Sequence, residues 1–492
     1  MSHVLAIDQS TSGTKAVLFD TLGTVVDKAT REHEQIYPQP GWVEHDAEAI
    51  WKNTLAVVAE VAERRQASIG DIAGVSISNQ RETFVVFDRR TGQPLHNAIV
   101  WQCRRSDAIC RDMIDAGCEQ TIRQKTGLRL DAYFSASKLK WLLDAEPELR
   151  QRIESGEALF GTIDTYLIYR LTRGAVYATD PTNASRTLLY DTSALCWSSA
   201  LCEEFSVPRS RLPEVRESSA HFGVTDADGV FPQPVPICGV MGDSQAALFA
   251  QRCFHPGMAK ATFGSGTSVL LNIGDERPQG SSDSLTALAT VIDGRPTYAL
   301  EGLINFSAAT ISWLKNQLGL IVDAHETERL AGAVEDNGGV YLVPAFAGLS
   351  APHWSPTARA AIIGLSAHSR KEHVVRAALE SIAYQVRDVL EMMRTDAGVE
   401  PQVLFADGEP TRNGLLMQFV ADVAQIELAV AEAPEASALG AAMAGMLGLG
   451  IYGSLQELES LPREVRTFCP QMERGQVDRL VAGWSTAVGR VL

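Results

Sequence analysis

The sequence of 492 residues has no long apolar run and no organised set of cysteines. None of its apolar stretches reaches the ~18 residues that a membrane-spanning helix needs, and the apolar start, Met1–Ile7, is too short for the core of a signal peptide. The eight cysteines are scattered, with no C-x-x-C pair and no Cys/His cluster at zinc-ligand spacing. These absences argue against a membrane protein, a disulfide scaffold and a zinc module. We therefore expect a cytoplasmic protein whose thiols are mostly buried.

Positive charge is also scarce. The chain has 43 lysines and arginines against 60 acidic residues, a formal net charge of -17. This acidity argues against nucleic acid or an anionic membrane surface as the main partner. It does not exclude a nucleotide, because backbone N–H groups and a magnesium ion can bind phosphates within an acidic protein. Apolar residues make up 45% of the chain, which is typical of a globular protein, and the length predicts roughly two to four domains.

The most informative segment begins with the apolar run Val235–Val240. Gly242-Asp243-Ser244 follows, and residues 244–251 then have helical spacing. The pattern predicts a strand, a tight turn and a helix, with Asp243 at the point where the helix begins. An aspartate at that place can cap the helix, or it can serve as an acid/base carboxylate. Both interpretations stay open at this stage, and the two roles could coexist.

A glycine-bearing turn lies shortly after that helix. Residues 258–263 and 267–273 are predicted strands, and Gly264-Ser265-Gly266 joins them. Such a turn can present free backbone N–H groups to a phosphate. The alternative is the start of a dinucleotide-binding fingerprint, but a Rossmann turn must open a helix, whereas a strand is predicted here. A candidate carboxylate and a candidate phosphate turn therefore lie in one short segment.

The N-terminal residues have the same outline. Residues 4–7 and 15–20 are apolar runs that enclose a polar turn ending in Gly13-Thr14, as the later turn ends in Gly266-Thr267. A third strand near residues 24–29, a helix from residue 46 and a strand at 72–78 follow. Because each half has a strand meander followed by helices, we predict two similar α/β domains facing a cleft, with a boundary near residues 242–257.

Long segments spread over almost the whole chain resemble the FGGY carbohydrate kinases, and among them the glycerol kinase branch. The matching segments are AIDQSTSGTKAVLFD (6–20), PQPGWVEHD (38–46), SNQRETFVVFDRRTGQPLHNAIVWQCRR (78–105), TGLRLDAYFSASKLKW (126–141), GTIDTYLIYRLT (161–172), TNASRTLLYD (182–191), GDSQAALFAQ (242–251), GMAKATFGSGT (257–267), YALEG (298–302), VPAFAGLSAPHW (343–354), ALESIAYQVRDVLEMM (378–393) and LLMQF (415–419).

The resemblance implies a fold and an activity. The fold is α/β, with two ribonuclease-H-like (actin-like ATPase) domains facing an interdomain cleft. Residues 1–245 would form the N-terminal FGGY domain, with the polyol-binding side and the first phosphate turn, and residues 246–492 the C-terminal FGGY domain, with the nucleotide-binding side. The activity is an ATP- and Mg²⁺-dependent transfer to a primary hydroxyl of a small polyol, such as glycerol to glycerol 3-phosphate. The partners would be the polyol and ATP, without nucleic acid or membrane, in a homo-dimer or homo-tetramer.

The resemblance also implies roles for single residues. Asp243 would be the catalytic base, and Asp8 with Asp243 would hold the metal. The residues implied to bind the polyol are Arg81, Glu82, Trp101, Tyr133, Asp243 and Ser244. The residues implied to bind the nucleotide are Thr11, Ser12, Gly13, Thr14, Lys15, Gly264, Ser265, Gly266, Thr267, Ala308, Ser312, Gly408, Glu409 and Asn413.

Some of these positions depart from the family pattern on the polyol side. Ser244 stands where the branch usually has a glutamine that contacts glycerol, and Ser268 where it usually has a phenylalanine against the carbon chain. Two smaller groups predict a roomier, more polar pocket, at a cost of ~1–3 kcal/mol per lost wall contact for a small substrate. A kinase for a polyol of four or five carbons, or for a ketose, is therefore an alternative. Lys15 replaces a usual arginine, as in many sugar kinases of the family.

The nucleotide side departs as well. Glu409 takes the place of a glycine that lets the backbone approach the phosphates, and a carboxylate there should repel them. Ala308 and Ser312 replace a usual glycine and glutamine, whereas Asn413 keeps the place of the adenine contact. These changes predict weak ATP binding or a loop held in another way. A non-catalytic nucleotide binder is the remote alternative, favoured only by Glu409.

Overall fold

A computed structural model describes residues 2–65, 69–278, 283–431 and 435–492. Over these ranges the chain is a mixed α/β protein built on a six-stranded sheet and a seven-stranded sheet, with a four-stranded sheet beside the first. None of the helices in these ranges is both long enough and apolar enough to cross a membrane.

The elements up to the middle of the chain supply the six-stranded and four-stranded sheets. The strands are β1 (His3–Gln9), β2 (Gly13–Asp20), β3 (Val25–Glu32), β4 (Glu44–His45), β5 (Ile72–Asn79), β6 (Phe84–Asp88), β7 (Ala98–Ile99), β8 (Ala158–Thr162), β9 (Ala178–Thr179), β10 (Tyr190–Asp191), β11 (Cys196–Trp197), β12 (Glu214–Val215), β13 (His221–Thr225) and β14 (Val235–Gly242). The helices are α1 (Ala47–Arg64), α2 (Asp107–Asp115), α3 (Glu119–Thr126), α4 (Ser135–Ala145), α5 (Pro147–Ser155), α6 (Ile163–Leu171), α7 (Pro181–Ala184), α8 (Ser199–Glu204) and α9 (Asp243–Ala250).

The later elements supply the seven-stranded sheet, a two-stranded sheet and the remaining helices. The strands are β15 (Met258–Phe263), β16 (Thr267–Gly274), β17 (Leu285–Ile292), β18 (Arg295–Ile304), β19 (Tyr341–Val343), β20 (Ala361–Ile363), β21 (Val403–Asp407), β22 (Glu427–Ala431) and β23 (Val465–Phe468). The helices are α10 (Ala308–Asn316), α11 (Glu326–Ala331), α12 (Lys371–Ala397), α13 (Gly414–Ala424), α14 (Ala436–Gly448), α15 (Leu455–Glu459) and α16 (Arg474–Gly489).

The two large sheets repeat one arrangement. In the first, β1 pairs antiparallel with β2 and parallel with β5, and the order is β13-β14-β5-β1-β2-β3. In the second, β15 pairs antiparallel with β16 and parallel with β21, and the order is β17-β18-β16-β15-β21-β22-β23. The predicted repeat of a meander followed by helices is therefore confirmed. Each repeat places a tight turn directly after its first strand.

Both tight turns need glycine for steric reasons. A Cβ atom on Gly13 would lie 2.7 Å from the carbonyl oxygen of Arg31, and one on Gly266 would lie 2.3 Å from that of Ile304. The glycines thus let each turn press against the neighbouring strand, which real Cβ contacts would prevent. Because the turns require these glycines, the glycines in the sequence could be used to predict both turns.

The alanine- and glycine-rich helix α14 packs tightly on a sheet. Its buried residues Ala438, Ala442 and Met446 contact the face of the first sheet formed by β1 and β2. A Cβ atom on Gly440 would lie 1.8 Å from the carbonyl oxygen of Ala246, so α14 also approaches α9 closely. A helix from the later part of the chain therefore covers the sheet of the earlier part, and the boundary at residue 245 stays a prediction.

Some predicted boundaries shift. Strand β6 and the short β7 join a four-stranded sheet with β4 and β8. Strands β5 and β14 each extend past their predicted ends, to Asn79 and Gly242. These extensions matter because they carry the strands up to the candidate site.

Candidate functional site

Three strands of the first sheet end side by side and bring the candidate carboxylates together. In the parallel pairs, Asp8 of β1 aligns with Ser78 of β5, and Ser78 aligns with Met241 of β14. Parallel strands have their carboxyl ends at one edge of a sheet, so Asp243, which follows β14, lies at the same edge as Asp8. This edge is where open α/β sheets bind ligands.

Asp243 is the first residue of α9 and does not cap it. Gly242 occupies the N-cap position, and no side chain there makes a capping hydrogen bond. The Asp243 carboxylate accepts a hydrogen bond of 2.6 Å from the backbone N–H of Ser244, and its side chain is 37% exposed. The capping interpretation was therefore wrong by one position. The carboxylate remains partly open to solvent and to a ligand.

Asp8 is a buried carboxyl at the same strand edge. Burial raises its pKa to about 6, while a hydrogen bond from the Ser78 hydroxyl and the charge of Lys15 oppose that rise. The nearby carboxylate of Asp243 adds to the rise, because two like charges close together are unfavourable. A cation bound between Asp8 and Asp243 would relieve both the burial and the repulsion.

Lys15, on β2, is held by a carboxylate from the opposite end of the sequence. Its Nζ atom lies 2.5 Å from Oε2 of Glu435 and 3.9 Å from Oδ2 of Asp8. Burial lowers the pKa of Lys15, but these two carboxylates outweigh that effect and the net shift is upward. Glu435 also lies 3.2 Å from Lys28. Sequence reasoning missed Glu435, because nothing near it in the sequence points to a residue 420 positions away.

Arg81 and Glu82 lie next to Asp243 in a group of buried charges. Nε of Arg81 is 3.3 Å from Oδ1 of Asp243. Nη2 of Arg81 donates to Oε1 of Glu301 at 2.8 Å, and Oε1 of Glu82 lies 2.5 Å from Nε of Arg186. Sequence reasoning did not assign Arg186 or Glu301. Both fall inside segments that carried the family resemblance, TNASRTLLYD and YALEG, so the signal was present without a role attached to it.

Two aromatic rings stand beside these charges. Trp101 and Tyr133 have ring centroids 5.2 Å apart at an interplanar angle of 58°. The Trp101 indole donates to the hydroxyl of Thr11 at 3.0 Å, which ties this apolar wall to the first phosphate turn. Burial raises the pKa of Tyr133 above its ordinary value, so its hydroxyl stays protonated and can donate a hydrogen bond.

The first and second phosphate turns have a similar pattern of exposure. In the first, Ser10 N–H donates to Gly13 at 2.8 Å, which leaves Thr11 half-buried and Ser12 exposed while Thr14 is buried. In the second, Gly264 N–H donates to Gly266 at 2.8 Å, and Ser265 is exposed. Both turns thus present a hydroxyl-bearing residue outward.

Helix α10 supports the second turn from behind. Ser307 and Ala308 donate their backbone N–H groups to Ser265 and Gly264 at 2.8 and 3.0 Å. The exposed Ser312 lies one turn further along α10. In the ranges that the structure describes, the buried hydroxyl of Thr267 has no hydrogen-bond partner. A bound group that accepts or donates there would satisfy it.

The turn after β21 shows how Glu409 is accommodated. Gly408 has φ of +99°, and a Cβ atom there would lie 1.9 Å from the carbonyl oxygen of Phe263, so this position requires glycine. Glu409 lies 3.1 Å from Arg412, with both side chains mostly exposed. Its charge is therefore partly matched at the surface. Asn413 accepts a hydrogen bond of 2.9 Å from Leu416 as the N-cap of α13.

The two serines that depart from the family pattern lie on α9 and on β16. Ser244 is half-buried in the first turn of α9, next to the carboxylate of Asp243. Ser268 follows the second phosphate turn on β16, opposite Thr262 of β15. Within the described ranges its buried hydroxyl has no hydrogen-bond partner. Both side chains are small and polar.

Known proteins are similar to this chain over its whole length. Residues 3–250 match the FGGY family of carbohydrate kinases, N-terminal domain, and residues 261–449 match its C-terminal domain. A glycerol kinase of Desulfitobacterium hafniense is 47% identical over 100% of this chain and 99% of its own length. A glycerol kinase of Halorhodospira halophila is 48% identical over 99% and 96%.

Solved structures give the same result for the fold. The crystal structure of Plasmodium falciparum glycerol kinase with ADP matches with a TM-score of 0.95 at 36% identity, covering 100% of this chain and 98% of that one. A ligand-bound xylulose kinase from Lactobacillus acidophilus matches with a TM-score of 0.88 at 19% identity, covering 99% of each chain, which shows the fold alone. The fold is therefore the two-domain, actin-like α/β fold expected from the sequence.

Proposed function

The chain belongs to the FGGY family of carbohydrate kinases and is an ATP-dependent phosphotransferase, and we propose that its acceptor is glycerol, phosphorylated on a primary hydroxyl to glycerol 3-phosphate. Full-length relatives named glycerol kinase at 46–48% identity support this acceptor. The observation that carries the proposal is the partly exposed Asp243 carboxylate at the head of α9, beside Arg81 and at the same strand edge as Asp8.

Asp243 is the general base in this proposal. A primary alcohol is a poor nucleophile, and a carboxylate within hydrogen-bond reach contributes typically ~10²–10⁴ in rate by accepting its proton. Asp243 has the exposure to reach an acceptor hydroxyl, and Arg81 restrains its position at 3.3 Å. The proton passes from the hydroxyl to the carboxylate as the oxygen attacks the γ-phosphorus of ATP, and the bond to ADP breaks.

The side chains that surround Asp243 bind the acceptor in this proposal. Arg81 and Glu82 bind its hydroxyl groups, Tyr133 adds a hydroxyl contact and Trp101 covers its carbon chain. The tilted pair of rings, 5.2 Å apart, supports the role of an apolar wall. Because Trp101 also bonds to Thr11, the wall is fixed relative to the phosphate turn that holds the donor.

The donor phosphates lie between the two glycine turns in this proposal. Backbone N–H groups and hydroxyls of residues 11–14 and 264–267 donate to them, and Lys15 supplies a positive charge. Phosphoryl transfer depends mainly on positioning and charge neutralisation, so these donors are the main catalytic contribution besides the base. Residues 1–245 would supply the polyol side, and residues 246–492 the nucleotide side, including Ala308, Ser312, Gly408, Glu409 and Asn413.

A magnesium ion fits the carboxylates at the strand edge. Asp8 and Asp243 are hard oxygen ligands close enough to raise the pKa of Asp8, and Mg²⁺ usually binds through one or two carboxylates and keeps several waters. Bound there with ATP, the ion would neutralise charge on the transferring phosphates. Asp8 would hold it, mainly through water.

We also propose the setting in which the enzyme works. The scattered thiols, of which Cys103, Cys110, Cys202, Cys238 and Cys253 are buried, support a reducing cytoplasmic location. A homo-dimer or homo-tetramer is proposed from the family resemblance. Size-exclusion chromatography with light scattering tests the assembly, and a monomer at micromolar concentration would contradict it.

A panel of acceptors tests the proposed substrate. Steady-state rates with ATP and Mg²⁺ are measured for glycerol, erythritol, threitol, xylitol, ribitol and xylulose. We expect glycerol to give the highest kcat/KM. A higher value for any longer acceptor would overturn glycerol as the preferred substrate while keeping the kinase.

A longer polyol is the second candidate. The observation that favours it is the pair of serines, Ser244 and Ser268, of which the second has a buried hydroxyl without a partner in the described ranges. A hydroxyl further along a four- or five-carbon polyol could pair with it. The substitution Ser268→Phe would then raise the kcat/KM ratio of glycerol to the longer polyol, and an unchanged ratio would count against this candidate.

A further inference from the structure

Five charged side chains form a continuous row through the acceptor site. Their order is Glu82, Arg186, Glu301, Arg81 and Asp243. The successive nitrogen-to-oxygen distances are 2.5, 2.6, 2.8 and 3.3 Å. The first four side chains are at most 4% exposed, and only Asp243, at 37%, reaches the surface. The row therefore runs from the buried interior to the proposed base.

Glu301 is the centre of the row. One of its carboxylate oxygens faces Arg186 and the other faces Arg81. Burial alone would raise the pKa of Glu301, but the two guanidinium groups hold it at about 2. Glu301 is therefore a fixed negative charge at neutral pH. Glu301 accepts a charge-assisted hydrogen bond from Arg81 at 2.8 Å and forms an ion pair with Arg186 at 2.6 Å, so both guanidinium groups are held against one carboxylate.

Arg81 has little freedom to move. Oxygen atoms of Glu301, Gln245 and Asp243 lie within 3.3 Å of three different nitrogens of its guanidinium. Its aliphatic part packs on Gly242, where a Cβ atom would lie 2.7 Å from Cγ of Arg81. The guanidinium is thus held in one orientation, and it holds the Asp243 carboxylate at a fixed place.

Glu82 is fixed at the other end. Its backbone has φ of +61°, a conformation that non-glycine residues rarely adopt. Arg186 binds its carboxylate, and the hydroxyl of Ser135 donates to its carbonyl oxygen at 2.7 Å. Arg186 is in turn stacked 5.1 Å from the centroid of Phe134. Such an unfavourable backbone persists where surrounding contacts determine it, as they do here.

Glu301 also links the acceptor site to the second phosphate turn. It lies on β18, opposite Leu270 of β16, and β16 begins at Thr267, directly after that turn. The other members of the row come from elements before residue 251. Movement of the turn relative to the acceptor site would therefore pull on Glu301.

We infer that Glu301 and Arg186 are positioning residues that fix the acceptor-binding pair, Arg81 and Glu82, and the base Asp243 relative to the second phosphate turn. Neither contacts the acceptor in this inference; each acts through the side chain it holds. The inference rests on the proposed kinase function but not on the identity of the acceptor. Buried ion pairs are weak stabilisers compared with well-packed apolar groups, which is consistent with retention of this row for geometry.

The variant Glu301→Gln tests the inference, because it keeps the shape and removes the charge. With the best acceptor of the panel, we expect kcat/KM for the acceptor to fall about 100-fold or more, since small misplacement of reacting groups costs that much. The dissociation constant for ATP, measured by calorimetry, should change less than about threefold, because neither residue contacts the phosphate turns directly.

A matched control separates positioning from stability. Glu380 is also buried, and it pairs with Arg376 at 2.8 Å on α12, away from the row. Glu380→Gln should lower the melting temperature to a similar extent and leave kcat/KM for the acceptor unchanged. The variant Glu301→Asp keeps the negative charge between the two arginines but shortens its reach, so it should be more stable than Glu301→Gln while acceptor turnover stays low.

The outcomes distinguish the two levels of the proposal. If the wild type phosphorylates an acceptor and folded Glu301→Gln has the same kcat/KM for that acceptor, the inference is overturned and the proposed function stands. Full acceptor turnover in Glu301→Asp would overturn it too, because the charge without the geometry would then be sufficient. If Glu301→Gln does not fold, Glu301→Asp gives the answer by the same criterion. Absence of turnover with every acceptor in the wild type would overturn the proposed function and the inference with it.

Discussion

Replacement of Asp243 by asparagine should lower turnover by orders of magnitude without unfolding the protein. Asparagine keeps the size of the side chain and one oxygen that can accept the hydrogen bond from Ser244 N–H, which is 2.6 Å in the wild type. It removes the negative charge and therefore the capacity to accept a proton from an alcohol. The change thus separates the base from its structural surroundings.

The expected loss of stability is small, and the expected loss of turnover is large. Because Asp243 is 37% exposed, its pairing with Arg81 at 3.3 Å is screened by water, and its loss should cost less than about 1 kcal/mol of stability. Loss of a positioned base lowers kcat by ~10²–10⁴, which corresponds to about 3–5 kcal/mol in the barrier. The catalytic effect should therefore exceed the effect on stability several-fold.

Coupled detection of ADP, calorimetric binding of ATP and glycerol, and thermal unfolding form the assay. The control is Asp228→Asn, a side chain that is 65% exposed and 3.8 Å from Arg173 in a loop; it should behave as wild type. The reasoning fails if Asp243→Asn binds both ligands and keeps kcat within about tenfold of the wild type. Loss of binding together with loss of fold would show that the residue is structural.

Three further predictions address the donor side and the interior. Lys15→Met should raise KM for ATP at least about tenfold and leave KM for the acceptor unchanged, because a phosphate charge partner is lost; equal KM values for ATP would contradict this in steady-state rates. Glu409→Gly should tighten ATP binding by less than about fivefold, because Arg412 already offsets the carboxylate, and calorimetry that finds weaker binding would refute a repulsive role. Burial, with the like charge of Asp180, raises the pKa of Asp164 to about 7 from 3.8, so the folded state keeps a proton that the unfolded state has lost, and stability falls as pH rises through this window. The stability of Asp164→Asn relative to the wild type should therefore rise between about pH 4 and about pH 7, by up to about 4 kcal/mol, and a melting-temperature difference that does not vary with pH would contradict it.

Local patterns predicted the framework of the fold well. Alternation of apolar runs with glycine turns located β1, β2, β15 and β16 within one residue or two, because sheet geometry and turn sterics act over short stretches. The start of α9 was placed correctly, but the cap was assigned to Asp243 instead of Gly242. Helix ends depend on backbone angles of single residues, which a spacing pattern does not determine.

Long-range pairing was beyond the reach of these patterns. Glu301 meets Arg81 across 220 positions, and Glu435 meets Lys15 across 420. Neither glutamate has a neighbouring residue that predicts its partner, because the contact exists only once two sheets and α14 are assembled. The family resemblance identified the segments around Glu301 and Arg186, but their function emerges from the row of charges they complete.

Direct observation of the product tests the central claim most closely. The protein is incubated with ATP, Mg²⁺ and glycerol, and phosphorus NMR follows the nucleotide and the acceptor together. The account predicts that glycerol 3-phosphate and ADP form in equal amounts, and that neither forms with Asp243→Asn on the same timescale. Formation of ADP with inorganic phosphate alone, or of no product from ATP, would contradict it.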